Sequence, residues 1–411
     1  MSLRAIRPSS PLYVVMLGLL SALPPFGTDA GLPGLPALQA EFGIGVSQAA
    51  QTLTLFLLGF ALGPVLFGPL SDRYGRKPVL LLGVALFSAA TLGCALAGSM
   101  HTLLALRVLG GVGAGAAASL PAAIVRDVYR DEQGLSRQSY VALVNGVAPL
   151  LAPLLGAALL ACAGWRGIYA TLAVLGAALF ALAAFGYAET APLDAAAPRA
   201  RGGALGATAA GYRAVLGDRR YLLATGVLAA VFGTMFAYIT GSSAVFMDVL
   251  GASPTVYAAL FAATAAGTIA GAACNTRLAR HWGPRRVLAG AVAGNLLACA
   301  VLLGAAGAGL QSIVLTAVLV VASNFCAGIV MPLATHASLR DLGRNAGSAA
   351  ALQRGLQMVA GAGSGALVGL TGAPPLLAMA LAMAASALLA LVLLLVLQRT
   401  KPAAVQTCAC R

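Results

Sequence analysis

Acid is scarce in this chain: 411 residues hold 11 Asp and Glu, 25 Lys and Arg and three His, and only 9% of residues are charged. No soluble domain has that composition. The histidines, His101, His281 and His336, stand at or near loops. No nucleophile–base pair and no phosphate-binding glycine loop is visible, so neither an enzyme nor a cofactor is expected. The seven cysteines lack the paired spacing of a zinc site, and no metal is expected. Cys94, Cys162, Cys274, Cys299 and Cys326 fall in or at the ends of apolar runs, where cysteine behaves as a small hydrophobe. Cys408 and Cys410 lie in a terminal tail. The net charge of +14 is not a nucleic-acid footprint, because its cations are scattered through short loops rather than gathered on one surface. A cleavable leader is not expected either, since the first apolar run is followed by many more.

What the chain does have is apolar length. It is 60% hydrophobic with a mean hydropathy of +0.92. Runs of about twenty apolar residues recur, each sufficient to cross a hydrocarbon core of roughly 30 Å. Fifty glycines suit helices that approach closely in lipid. The chain therefore reads as an all-α polytopic membrane protein. Twelve spans are predicted, at about 12–34, 49–70, 79–98, 102–124, 139–162, 167–187, 221–245, 254–275, 286–307, 311–336, 347–370 and 374–397. Arg4 and Arg7 place the N-terminus in the cytoplasm, and alternation puts loops 71–78, 125–138, 188–220, 276–285 and 337–346 there with it. The external loops, 35–48, 99–101, 163–166, 246–253, 308–310 and 371–373, are short. Of 25 Lys and Arg, all but Arg107, Arg166 and Arg354 fall on the cytoplasmic side, which supports that frame and cytoplasmic termini.

The fixed point of the layout is Gly68-Pro-Leu-Ser-Asp-Arg-Tyr-Gly-Arg-Lys-Pro78, a charged, glycine-bounded turn between two spans. Shifted by 208 residues, Leu70, Gly75, Lys77 and Leu80 fall on Leu278, Gly283, Arg285 and Leu288. Residues 188–220, rich in alanine, proline and arginine, read as a mobile linker with a short surface helix around Gly211 to Leu216. The chain thus divides into a six-helix half at 1–187, that linker, a second six-helix half at 221–398 and a cytoplasmic tail at 399–411. Two halves in parallel repeat are the sequence mark of a transporter rocking about a central site.

The 68–80 turn resembles the loop motif of the major facilitator superfamily, G-x-L-[A/S]-D-R-x-G-R-[R/K]-x-x-L, at every fixed position. Leu103-x-x-x-Arg107-x-x-Gly-Gly-x-Gly113 is similar to the fourth-helix motif of its proton-driven drug exporters, with Gly110 where glutamine is usual. Gly146-x-x-Pro149-x-x-x-Pro153-x-x-Gly156 resembles the fifth-helix motif of its antiporters. Val125-Arg-Asp-Val-Tyr129, Gly164-Trp-Arg166 and Asp29 followed by Leu-Pro point to the Bcr/CflA-type drug-resistance subgroup, which includes phenicol exporters. The resemblance implies proton-driven efflux of amphipathic drugs across the bacterial inner membrane by a monomer with no cofactor. It implies gating by Gly68, Asp72, Arg73, Gly75 and Arg76, with Asp72 touching the start of the eleventh helix to hold the cytoplasmic side shut. It makes Pro149, Pro153 and Gly156 a seal between the halves.

Asp29 is the one acid well inside an apolar run. An ionised Asp near a helix centre costs about 2.5–3.5 kcal/mol on insertion scales, so it is kept where it is protonated, paired or facing a wet cavity. A carboxyl whose neighbours change between two conformations can load and release a proton. The plainer reading is a solvated residue near an irregular helix end, beside Pro24, Pro25, Gly27 and Gly31. Arg107 lies at matching depth and is the expected partner of Asp29; its alternative is to snorkel and hold backbone carbonyls. Arg354, flanked by Gln353 and Gln357, either attracts an anionic or carbonyl-rich substrate or snorkels. Phe232, Phe236, Tyr238 and Tyr257 are candidate cavity walls, with Asn145, Asn324, Arg354, Gln357 and Asp29 as polar anchors. Set against the antiporter are a facilitator, importer or exporter of a small metabolite such as a sugar, in which Asp29 is structural, and a non-transporting receptor or scaffold.

Overall fold

The computed structural model describes residues 6–8, 10–129, 131–190, 212–213, 215–339 and 346–400, without the side chains of 69, 72, 131–136, 139, 142, 276, 346–348 and 351. Most of the expected 188–220 linker, residues 340–345, the 401–411 part of the tail with Cys408 and Cys410, and the Asp72 side chain lie outside the described residues. Of the expected linker helix, residues 212–213 and 215–216 are helical.

Among the described residues every regular element is helical. The first span is α1 (Pro11–Asp29), a 3-10 turn at Leu32–Gly34, and α2 (Leu35–Phe42). Then follow α3 (Val46–Tyr74), α4 (Arg76–Ala95) and α5 (Met100–Val128). Asp131–Gly186 is continuous except at Gly164, whose φ of 66° divides it into α6 (131–163) and α7 (165–186). The second half is α8 (Arg219–Ser243) with a π-turn at Ala244–Val249, α9 (Pro254–Trp282), α10 (Pro284–Gly307), α11 (Ile313–Leu339), α12 (Ala346–Leu370) and α13 (Pro375–Arg399). Ten stretches are long and apolar enough to cross a membrane; one of them, Leu143–Gly186, holds two crossings, and α12 packs among them as the twelfth.

Helix starts follow local chemistry. Ser10, Ser99, Asp218 and Ser253 cap α1, α5, α8 and α9 by accepting a bond from a backbone N–H two or three residues on. Two predicted loops are far shorter than expected. The 71–78 turn shrinks to Gly75 between α3 and α4, and the 276–285 turn to Gly283 between α9 and α10. Helix keeps the backbone hydrogen-bonded, so only the residue that reverses the chain leaves it; both glycines have positive φ, 97° and 80°. The 29-residue α3 is roughly 43 Å long and so extends beyond the hydrocarbon. The expected external loop 35–48 likewise contains α2.

Glycine lets the backbones touch. A Cβ on Gly111 of α5 would lie 2.1 Å from the Phe56 carbonyl oxygen of α3, and one on Gly113 2.4 Å from the Phe87 nitrogen of α4. Gly63 of α3 meets Gly115 of α5, and its counterpart 208 residues on, Gly271 of α9, meets the Phe325 carbonyl of α11. The parallel repeat is thus visible in packing as well as in the turns. Outward residues such as Leu62, Leu155, Val174, Leu297, Val314 and Leu388 are exposed, as side chains facing lipid are.

Gly111→Ala should cost at least about 1–3 kcal/mol by overpacking. Gly290→Ala, where a Cβ meets nothing within 4 Å, should be neutral or slightly stabilising. Thermal unfolding of the two purified variants in detergent measures this; equal melting temperatures would contradict the close α3–α5 approach.

Candidate transport cavity

A cavity of about 790 Å³ lies between the halves. From the first half it is walled by α1, α3, α5 and α6, and from the second by α8, α9, α11 and α12. Ser71, Arg76, Arg126 and Gln138 stand at its mouth, on the face of the Gly75 turn, while Asp29, Tyr238 and Ile239 stand at its inner end. The opposite face is closed by α12 against the first half. A Cβ on Gly369 would lie 2.7 Å from Ser47 Oγ of α3, and one on Gly365 3.4 Å from Thr54 Oγ1. The molecule is therefore open toward its basic turns and shut on the other side.

Asp29 ends α1 and lines the cavity, at 4% exposure, and its Oδ1 has no hydrogen-bond partner. Pro24 and Pro25 precede it inside the helix, where the Thr28 hydroxyl donates to their carbonyls at 3.1 and 3.2 Å. Arg107 does not pair with Asp29, contrary to the expectation from depth. Its Nη1 donates to the Gly27 carbonyl at 2.8 Å and its Nε to the Thr52 carbonyl at 3.0 Å, under the Phe56 ring. The last-turn carbonyls of α1 form the negative end of a helix dipole, so they satisfy a buried guanidinium without a carboxylate. Arg107 is buried at 4% exposure, so of its two alternative behaviours it holds carbonyls and does not snorkel.

The fifth-helix residues come to the same place. A Cβ on Gly156 would lie 2.1 Å from the carbonyl oxygen of Ala30, the residue after Asp29. Pro149 lines the cavity and Pro153 is buried beside Ala152, which packs on Ala30. Three motifs distant in sequence thus converge on residues 27–30.

At the mouth, Arg76 donates from Nε to Asp127 at 3.0 Å and from Nη1 to Ser71 at 2.6 Å, and Ser71 donates to the Gly68 carbonyl at 2.7 Å. Glu189 accepts from the backbone N–H groups of Arg76 and Lys77, both at 2.9 Å, capping α4 from 112 or 113 residues away. Arg73 stacks on its neighbour Tyr74. On the opposite face Glu41 pairs with Arg166 and accepts from Trp165 Nε1 at 2.6 Å. Glu189 and Glu41 were not singled out from sequence, and Asp127 entered only within the 125–129 motif, because a loop acid reveals its partner only when the chain closes.

Phe232, Phe236, Tyr238, Asn145, Asn324 and Arg354 all line the cavity. Tyr257 does not: it is fully buried with its hydroxyl on Ser242 at 2.9 Å. Gln357 also turns away and is buried. Met235, Phe261, Met331 and Met358 line the cavity and were missed. Phe261 stacks on the cavity-lining Tyr238, ring centroids 5.7 Å apart, a contact between α8 and α9 that only the closed fold shows.

Two substitutions separate the roles. Arg107→Lys keeps the charge but loses the fork that spans two carbonyls, and should destabilise by about 3 kcal/mol or more. Asp29→Asn removes no hydrogen bond at Oδ1 and should stay within about 1 kcal/mol of the native chain. Thermal unfolding in detergent checks both. Glu189→Ala should cost about 1–2 kcal/mol through the lost cap, read in the same assay.

The family model described as the Major Facilitator Superfamily matches residues 17–365. The chain is similar to the uncharacterised MFS-type transporter YdgK of Bacillus subtilis, 31% identical over 86% of this chain and 88% of that one. It is 30% identical to a bicyclomycin resistance protein homolog of Haemophilus influenzae over 59% of this chain and 60% of the relative. It is 30% identical to multidrug resistance protein MdtL of Escherichia coli over 62% of this chain and 63% of the relative. The matched region thus spans about three-fifths of those two drug-resistance relatives. In fold it resembles a solved D-xylose–proton symporter, with a TM-score of 0.72 at 16% identity over 96% of this chain and 98% of the other. It resembles equally an inward-facing bacterial homolog of the lysosomal transporter Spinster, with a TM-score of 0.70 at 17% identity over 96% and 98%. A family match of that extent, on a two-part helical architecture around a central cavity, makes this chain a member of the Major Facilitator Superfamily, a multi-pass membrane transporter and not an enzyme.

Proposed function

We propose that this transporter exports amphipathic drugs, phenicol antibiotics among them, across the bacterial inner membrane in exchange for protons. One observation carries the reading. Asp29 is the only acid among the described residues lining the cavity, it is buried, and one of its oxygens has no partner. The drug-resistance relatives support the substrate class.

The cavity open beside the basic turns is the state that loads drug from the cytoplasm, given the charge distribution of the loops. Rocking of the halves opens the Asp29 end to the outside, where a proton binds the carboxylate and the drug leaves. Neutral Asp29 then tolerates return through the closed intermediate, and the proton departs once the cavity faces inward again. Arg107 takes part as a positioning residue. It holds the Gly27 carbonyl and so fixes the last turn of α1, which ends at Asp29. No Asp29–Arg107 ion pair needs to break. One coupling acid implies one proton per drug, so export of a neutral drug moves one charge and export of a monovalent cation moves none.

Proteoliposomes with a trapped pH dye test the exchange. Addition of a phenicol on the substrate side should trigger proton movement, and Asp29→Asn should reduce it by at least about 100-fold, in the range of lost acid–base function. Drug flux without proton movement in the native chain would identify a facilitator and remove Asp29 as the coupler. Full proton-driven flux in Asp29→Asn would refute the mechanism.

A further inference from the structure

Arg354 is a cation in the wall of the cavity. It sits eight residues into α12 and is exposed to the cavity. Among the described residues no hydrogen bond or ion pair reaches its guanidinium. Neighbouring Gln353 donates to Thr335 and leaves it alone. A guanidinium in such a place needs a carboxylate, a carbonyl or water.

The other charges sharpen this. Arg76 at the mouth is matched by Asp127, Arg126 at the rim is exposed, and Asp29 lies at the inner end on the opposite half. Among the described residues cations therefore outnumber the acid along the path, and low-dielectric walls concentrate ligands of the opposite sign. Seven residues beyond Arg354, about 10 Å along the helix, stands Gly361. A Cβ there would lie 3.1 Å from both the Phe232 and Phe236 rings, so the glycine makes room for an aromatic pair whose centroids are 4.6 Å apart. Met358 lines the cavity between them.

We infer that this cavity selects amphipathic organic monoanions: a carboxylate or sulfonate forks onto Arg354 while an aromatic body rests on Phe232, Phe236 and Met358. This rests on the proposed function's reading of the cavity as the drug site, and it ranks organic anions above uncharged drugs such as the phenicols. Planar bidentate recognition is what a guanidinium offers a carboxylate and does not offer a cation. Lipophilic cations are the disfavoured class.

Equilibrium binding to the purified full chain in detergent tests it, with three probes of one shape: 2-naphthoate, 2-naphthamide and trimethyl(2-naphthyl)ammonium. The native chain should bind the naphthoate at least about tenfold more tightly than the amide, as one charge-assisted contact allows, and the cation least. Arg354→Gln should abolish the preference for the anion, Arg354→Lys should retain part of it, and Arg285→Gln, the same charge change on the outer surface, should retain all. The native order needs no variant, so a Gln variant that fails to fold leaves the test standing. Equal or tighter binding of the amide or the cation overturns the inference. So does a naphthoate preference that survives in Arg354→Gln, or no naphthoate binding at millimolar concentration. No proton gradient is present, so loss of antiport does not touch this result. Proton exchange confined to neutral or cationic drugs would overturn this inference and leave the proposed function intact.

Discussion

The grip of Arg107 on two backbone carbonyls is the interaction on which the rest of the molecule turns. A guanidinium buried among helices must be satisfied, and here it takes the Gly27 and Thr52 oxygens. That choice ties the last turn of α1 and the first turns of α3 to α5. It also leaves the Asp29 carboxylate with an unpartnered oxygen in the cavity. The glycines around it follow from the same constraint. Gly111 and Gly113 bring α5 against α3 and α4, and Gly156 brings α6 against Ala30. With those backbones further apart, the arginine could not reach both carbonyls.

At the cavity mouth and on the opposite face, charge fastens helix ends. Glu189 caps α4 across more than a hundred residues, and Arg76 links Ser71 to Asp127 between the ends of three helices. Arg166, the one cation expected on the far side, is held there by Glu41 and by the Ala97 carbonyl. These contacts stay within the first half and the start of the linker. The halves themselves meet through small residues such as Gly365 and Gly369, a surface suited to sliding or parting.

The two halves repeat one another in turns and packing but divide the cavity chemistry unequally. The first supplies the carboxyl, and the second supplies the aromatic pair and the Arg354 guanidinium. A repeat preserves backbone positions while side chains facing the cavity are at liberty to diverge, because packing does not restrain them. The acid and the aromatic pair thus sit on opposite halves of the cavity.

The sequence by itself determined the class of fold, the number of spans, the reversing glycines at 75 and 283, and the position of an isolated acid at 29. All are local consequences of hydropathy, charge asymmetry and backbone freedom, which lipid enforces strongly. It also pointed to Arg107, Phe232, Phe236, Tyr238, Asn145, Asn324 and Arg354, each of which stands at the cavity or beside it. The tertiary structure decided what those groups touch. Depth along two helices matched Asp29 to Arg107, but their rotation sent the arginine to carbonyls instead. Tyr257 and Gln357 were similarly turned into the packing, and Phe261 and Met358 into the cavity. Position along a helix is readable from the chain, whereas the azimuth of a side chain and the partner it meets depend on how twelve helices close together.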